Sequence, residues 1–182
     1  MTEAIYTIGH SDRSFDAFAG LLGEAGIQRL VDVRAFPNSR TNPQFNQDVL
    51  PGELATRGIS YEHLAALGGR RRKSKTVPVD VNAFWTHPSF HNYADYALSP
   101  EFRAGLDHLI AEGRKQRCAV MCSEAVWWRC HRRIITDYLL ARGVAVIHIL
   151  GHGHLEPARL TEGARPQPDG TVIYPAIESA AS

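Results

Sequence analysis

The chain has 182 residues, 44% of them hydrophobic and 21% charged, an ordinary balance for one globular domain with a single core. Its formal net charge of +1 excludes a global field that would draw it to nucleic acid or to a membrane, so any electrostatic partner has to be met by a local patch. No apolar run is long enough to span a bilayer, and the opening residues Met1 to Tyr6 lack the basic-then-apolar pattern of a secretory leader.

Residues Ala4 to Ile8 read as a short buried strand, broken by Gly9-His10-Ser11. Ser14 is placed to cap a helix in which Phe15, Phe18, Leu21, Leu22 and Ala25 recur at helical spacing, with Gly26 at its end. A second strand covers Arg29 to Arg34, stopped by Phe36-Pro37, and Asn38 to Gln47 is polar and irregular. Leu50 and Leu54 suggest a short helix closed by Gly58, and Ile59, Tyr61 and His63 alternate as in a third strand. Gly68-Gly69 opens a basic loop, expected to be mobile, that carries Arg70, Arg71, Arg72, Lys73 and Lys75 and runs to about Asn82.

Helical character resumes from Phe90 to Leu98. Ser99-Pro100 then starts a capped helix with the apolar stripe Phe102, Leu106, Leu109 and Ile110, ended by Gly113. The strand Cys118 to Met121 leads into a segment dense in reactive groups, Cys122 to Arg132, and a helix follows to about Arg142 with Gly143 as its cap. Val144 to Leu150 is a last central strand. An irregular tail from about residue 151 holds one edge strand at Thr171 to Tyr174. The alternation predicts a single α/β domain over residues 1–182 with a mostly parallel sheet covered by helices. In such a sheet His10-Ser11, Asp32 to Arg34, His63, Cys122 to Glu124 and Gly151-His152 share one rim, where open α/β proteins place ligands.

The densest chemistry lies in Cys122 to Arg132. Cys130 stands at a helix start among Arg129, Arg132 and Arg133, and both the helix dipole and that charge favour a thiolate. Glu124, at a partly buried strand end, is the favoured general acid or base. With Cys122 and His131 these residues form the candidate catalytic set. Asp32 and Arg34 point to one face of their strand. They read either as a structural ion pair or as an anion site in which Arg34 grips and Asp32 orients, joined there by His10, Ser11 and Arg132. A phosphatase-type loop needs five residues between cysteine and arginine. Cys122 and Arg129 are separated by six, so that mechanism is not assigned.

Cys122, Cys130, His131, His152 and His154 include metal-ligand types, but the cysteine spacing matches no compact zinc motif and a metal is not favoured. The three cysteines, an odd number in a chain with no leader, point to a cytoplasmic protein with reduced thiols. The basic loop, flanked by Phe84-Trp85 and Phe90 to Tyr96, has the charge and stacking surfaces that a nucleotide or single-stranded nucleic acid would use.

Several stretches resemble the family of the domain of unknown function DUF488. They are Thr7-Ile-Gly-His-Ser11, Leu30-Val-Asp-Val-Arg-Ala-Phe-Pro-Asn-Ser39, Gly58-Ile-Ser-Tyr61, Leu67-Gly-Gly69, and Met121-Cys-Ser-Glu124 through Cys130-His-Arg132. The resemblance implies a compact α/β domain with a shared site and supplies no reaction. The residues themselves predict an enzyme acting on an anionic small molecule, a nucleotide or a nucleic-acid fragment, with no membrane partner. Hydrolytic, transferase and thiol chemistry all suit these residue types. The alternatives are a binding module without turnover and a redox or metal sensor built on Cys122 and Cys130.

Overall fold

A computed structural model describes residues 4–177. The expected domain ran over residues 1–182, and residues 1–3 and 178–182 lie outside the described part. Six strands form the central sheet: β1 (Ile5–Gly9), β2 (Arg29–Asp32), β3 (Ser60–His63), β4 (Cys118–Cys122), β5 (Val146–Gly151) and β6 (His154–Pro157). Their order is β3-β2-β4-β1-β5-β6, parallel throughout except for β6, which returns antiparallel along β5.

Two apolar layers follow from the period-2 alternation of the buried strands. On one face Tyr6, Ile8, Leu30, Ala119, Met121 and Ile149 pack with α1 (Phe15–Glu24) and α2 (Leu50–Ala55). On the other, Ile5, Val31, Val33, Cys118, Val120 and Val146 pack with α3 (Pro88–Tyr96), α4 (Pro100–Lys115) and α5 (Arg132–Ala141). The caps are those the sequence predicts. Ser14 accepts from the Ala17 N–H and Ser99 from the Phe102 N–H, while Gly26, Gly58 and Gly143 take positive φ just after their helices.

Gly113 does not end its helix. It lies within α4, where an added Cβ would stand 3.1 Å from the Ile5 side chain, so its role is close packing on β1. The strand expected at Thr171–Tyr174 is shorter and does not border the main sheet. Val172–Ile173 (β8) pairs with Arg165–Pro166 (β7) in a separate two-stranded sheet. The edge of the main sheet is β6, so the expected irregular tail begins with a hairpin.

The connections locate the site. From β1 the chain crosses β4 to reach β2, and from β4 it crosses β1 in the opposite direction to reach β5. The neighbouring strands β1 and β4 therefore send their loops apart. A crevice opens at their carboxyl ends, which is the topological switch point of an open α/β sheet.

Candidate functional site

The loop after β4 closes over the end of β1 because Gly9 has no side chain. A Cβ there would lie 1.6 Å from the Glu124 carbonyl oxygen and 2.4 Å from its carbon. Pairing continues past both strands, with the His10 N–H donating to the Cys122 carbonyl and the Ser11 N–H to the Ser123 carbonyl, each at 2.9 Å. Ser11 makes its turn at φ 51°, a left-handed conformation unusual for serine. The same approach that needs Gly9 brings Cys122 within 2.7 Å of Cys130, sulfur to sulfur.

Beneath the two thiols lies Arg132, only 1% exposed in the first turn of α5. Its Nε donates to Cys122 Sγ at 3.0 Å and to Cys130 Sγ at 3.4 Å. Its Nη1 donates to Thr7 Oγ1 at 3.0 Å and its Nη2 to the Glu124 carbonyl at 2.7 Å. The Arg132 backbone N–H adds a bond to Cys130 Sγ at 3.2 Å. Among the described residues no carboxylate pairs with this guanidinium.

A buried cation without a counter-ion costs several kcal/mol, of order, even after relaxation. Among the described residues the thiol pair is the only anion source in contact with it. Burial, together with the adjoining Cys130, pushes the Cys122 thiol well above its ordinary range. Burial also opposes ionisation of Cys130, but the Cys122 thiol, the His131 ring and the Arg132 charge outweigh it and hold the Cys130 thiol well below that range. Two adjacent sulfurs cannot both ionise, so the pair carries at most one negative charge, and these influences favour it on Cys130, facing Arg132.

Residues 14–139 match the family described as domain of unknown function DUF488. The chain belongs to the DUF488 family. No curated protein and no solved structure matches it.

The cleft of this DUF488 domain has a volume of about 780 Å³ and is lined by His10, Ser11, Arg34, Cys122, Glu124, Cys130 and His131, so most of the expected rim converges. Several roles differ from the expectation. Arg132 lies under the thiols and outside the cleft wall, because its donors are consumed by sulfur, Thr7 and backbone. Arg34 is clamped by Asp32 through Nε at 2.9 Å and Nη2 at 2.7 Å, and Nη2 also donates to the Phe45 carbonyl at 2.7 Å. Asp32 takes a further bond from the Tyr61 hydroxyl, so Arg34 is held in an ion pair while still lining the cleft, where its Nη1 meets His10 Nε2. Glu124 is exposed rather than partly buried, and its contribution to the thiol site is its carbonyl.

His10 stacks on Phe45 with ring centroids 4.4 Å apart. The contact of its Nε2 with Arg34 Nη1 at 3.4 Å requires Nε2 to be the acceptor, since guanidinium only donates; Nδ1–H then donates to the Ser11 carbonyl at 2.7 Å. That tautomer is neutral. Burial is the main reason its pKa lies below the ordinary histidine value, with the Arg34 and Arg13 charges acting the same way. His131 precedes α5 and meets the Val33 carbonyl through Nε2 at 2.8 Å. Its ring fills the space above Gly69, where a Cβ would come within 3.0 Å of Nδ1.

Of the basic loop, only Arg70 lines the cleft, with its guanidinium 5.4 Å from the ring centroid of Phe36. Arg71 is an anchor. It donates to the Ala65 and Gly68 carbonyls and lies 3.7 Å over the Tyr96 ring, so the start of the loop is tied down and not freely hinged. Arg72, Lys73 and Lys75 are exposed. Of the expected stacking aromatics Trp85 and Tyr93 are buried and Phe84, Phe90 and Tyr96 partly so; Phe90 and Tyr93 line the cleft. Phe36, 66% exposed at the mouth, is the aromatic surface that sequence reading passed over. Among the described residues no three His, Cys, Asp or Glu side chains are grouped to hold a metal. His152 pairs with Glu24 and His154 is exposed on β6, both away from the thiols.

Thr7 and His148 also escaped the sequence reading. They face each other in register on β1 and β5, with Thr7 Oγ1 2.6 Å from His148 Nδ1. Trp127 stacks on the His148 ring with centroids 4.7 Å apart, and among the described residues His148 Nε2 has no partner. Burial first, and the Arg132 charge second, lower the His148 pKa to about 4. Unfolded, this histidine titrates near 6.5. Between those values the unfolded chain binds a proton that the fold rejects, so stability falls as pH falls and the loss is complete below the folded value. We expect this group to remove up to about 3 kcal/mol between about pH 6.5 and pH 4. Urea unfolding of wild type and His148→Gln across that range checks it. The variant should show a shallower pH slope, and equal slopes would assign the acid sensitivity elsewhere.

Proposed function

We propose that this DUF488 domain is a cytoplasmic thiol enzyme whose Cys130 thiolate attacks an anionic substrate seated in the cleft. The observation that carries the reading is the buried Arg132, whose charge is matched by sulfur alone. A thiolate held this way is nucleophilic at neutral pH and is retained in a reducing compartment. No helix among the described residues is long and apolar enough to cross a membrane.

A nucleotide or nucleic-acid fragment is the substrate class the walls suit best. Arg70 and Arg129 line the cleft with exposed guanidiniums, Arg34 lies deeper, and Phe36 and Phe90 offer apolar faces. Asp12 and Glu124 also line it, so the field is mixed rather than uniformly positive. His131, beside the thiolate, is positioned to exchange a proton with a leaving group.

The test is incubation of the protein with a mixture of nucleotides and phosphorylated metabolites, followed by mass spectrometry of both mixture and protein. We expect one component to be consumed, an adduct on Cys130, and loss of both in Cys130→Ser with ligand affinity retained. Consumption at the wild-type rate by Cys130→Ser would overturn the thiol reading. Binding without consumption by either protein would make the domain a binding module.

A further inference from the structure

The proposed attack uses one sulfur, yet the site holds two. Cys122 is 3% exposed, stands 2.7 Å from Cys130, and is kept as a neutral thiol by burial. Its other acceptor is the Glu124 carbonyl at 3.7 Å. A packing residue at this position would not need to be a thiol. Cys118, the third cysteine, illustrates the inert case: it lies at the opposite end of the same strand, and burial pushes its thiol up to about 11.

We propose that Cys130 and Cys122 form a two-electron redox couple that reduces hydroperoxides, with Cys130 as the attacking and Cys122 as the resolving sulfur. The inference rests on the Cys130 thiolate and adds an activity to it. In the first step the Cys130 sulfur forms a bond to the distal peroxide oxygen, the O–O bond breaks, and the departing alkoxide takes a proton from cleft water. Cys130 becomes a sulfenic acid and the peroxide becomes an alcohol. In the second step the Cys122 sulfur, losing its proton, attacks the sulfenic sulfur, and hydroxide departs with that proton as water. The product is a Cys122–Cys130 disulfide. A small dithiol returns it to the starting state by two thiol–disulfide exchanges and is itself oxidised.

Cys122 and Cys130 both line the cleft, Cys130 being the more exposed of the two at 8%, so the attacking sulfur is the one placed to meet a peroxide. No backbone rearrangement is required to bring the sulfurs together, since they already touch. Arg132 serves both steps. Its Nε–H lies between the two sulfurs and favours whichever one carries the negative charge.

The experiment treats wild type, Cys122→Ser and Cys130→Ser with tert-butyl hydroperoxide and follows intact mass, dimedone labelling and peptide maps. Wild type should lose two hydrogen masses, give one Cys122–Cys130 cross-linked peptide, and consume peroxide repeatedly when dithiothreitol is supplied. Cys122→Ser should stop at the sulfenic acid, with dimedone labelling about tenfold above wild type. Cys130→Ser should be inert to peroxide. The wild-type peptide map decides the point even if a variant folds poorly. A wild type that alkylates rapidly at Cys130 yet forms no disulfide would overturn this inference and leave the thiolate reading standing. A Cys130 that neither alkylates nor oxidises at neutral pH would remove both.

Discussion

Replacing Arg132 with methionine is expected to cut the reactivity of Cys130 at neutral pH sharply. The guanidinium supplies donors to both sulfurs and the charge that the thiolate balances. Without it, burial is opposed at Cys130 only by the Cys122 thiol and the His131 ring, so less of the thiol is ionised and it becomes a poorer nucleophile. Alkylation of Cys130 by iodoacetamide at pH near 7 should slow by about tenfold or more, because each unit of pKa rise costs a factor of about ten in thiolate. Stability should fall by about 3 kcal/mol, since a buried pair is broken and the Thr7 and Glu124 acceptors are left unmatched. Arg132→Lys should keep part of the reactivity and less of the stability. An ammonium restores the charge, but its point-like donors cannot replace a fork that reaches sulfur, Thr7 and the Glu124 carbonyl together. Wild-type reactivity in the methionine variant would mean that the sulfurs are not the counter-ion.

The second large effect is expected at Gly9. A methyl group there would overlap the Glu124 carbonyl, whose oxygen would lie 1.6 Å away, and that obstacle is backbone rather than a flexible side chain. Gly9→Ala should therefore exceed the roughly 1–3 kcal/mol of ordinary overpacking. The carbonyl that must move is the one Arg132 Nη2 binds, so the thiol pair should separate and Cys130 reactivity should fall with stability. Gly20→Ala, on an open stretch of α1, is the control and should be neutral or slightly stabilising. Thermal unfolding and iodoacetamide rates on the two variants distinguish the close approach from a general intolerance of alanine.

Much of the fold was legible because its signals are local. Ser14 and Ser99 advertise caps, Gly26, Gly58 and Gly143 mark helix ends, and buried runs such as Cys118 to Met121 read as parallel strands. The shared rim followed from that parallel arrangement, and His10, Cys122, Cys130 and His131 do meet there. Partnerships were not legible. The Asp32–Arg34 ion pair was one of two readings that their spacing on one strand allows, but nothing in the sequence tells that Arg71 is bound to two carbonyls or that Arg132 lies below the sulfurs instead of in the cleft wall. The Arg71 contacts depend on how the chain turns after Gly68, and the place of Arg132 on how the loop after β4 closes over α5. One signal was available and passed over: His148 interrupts an apolar strand, and a lone histidine in such a run faces either a partner or an unmet polar cost. Gly113 misled for the opposite reason, since a glycine needed for close packing looks the same in sequence as a helix end.

The central claim is that Cys130 is a thiolate at neutral pH, held by a buried guanidinium. The ultraviolet absorbance of the thiolate, titrated against pH in wild type, Cys130→Ser and Arg132→Met, tests it directly. The account predicts one thiolate per wild-type chain, with a midpoint well below the free-cysteine reference of about 8.5, and its loss in Cys130→Ser. In Arg132→Met the midpoint should rise toward that reference. A wild-type protein whose thiols all remain protonated until about pH 8.5 or beyond would contradict the account.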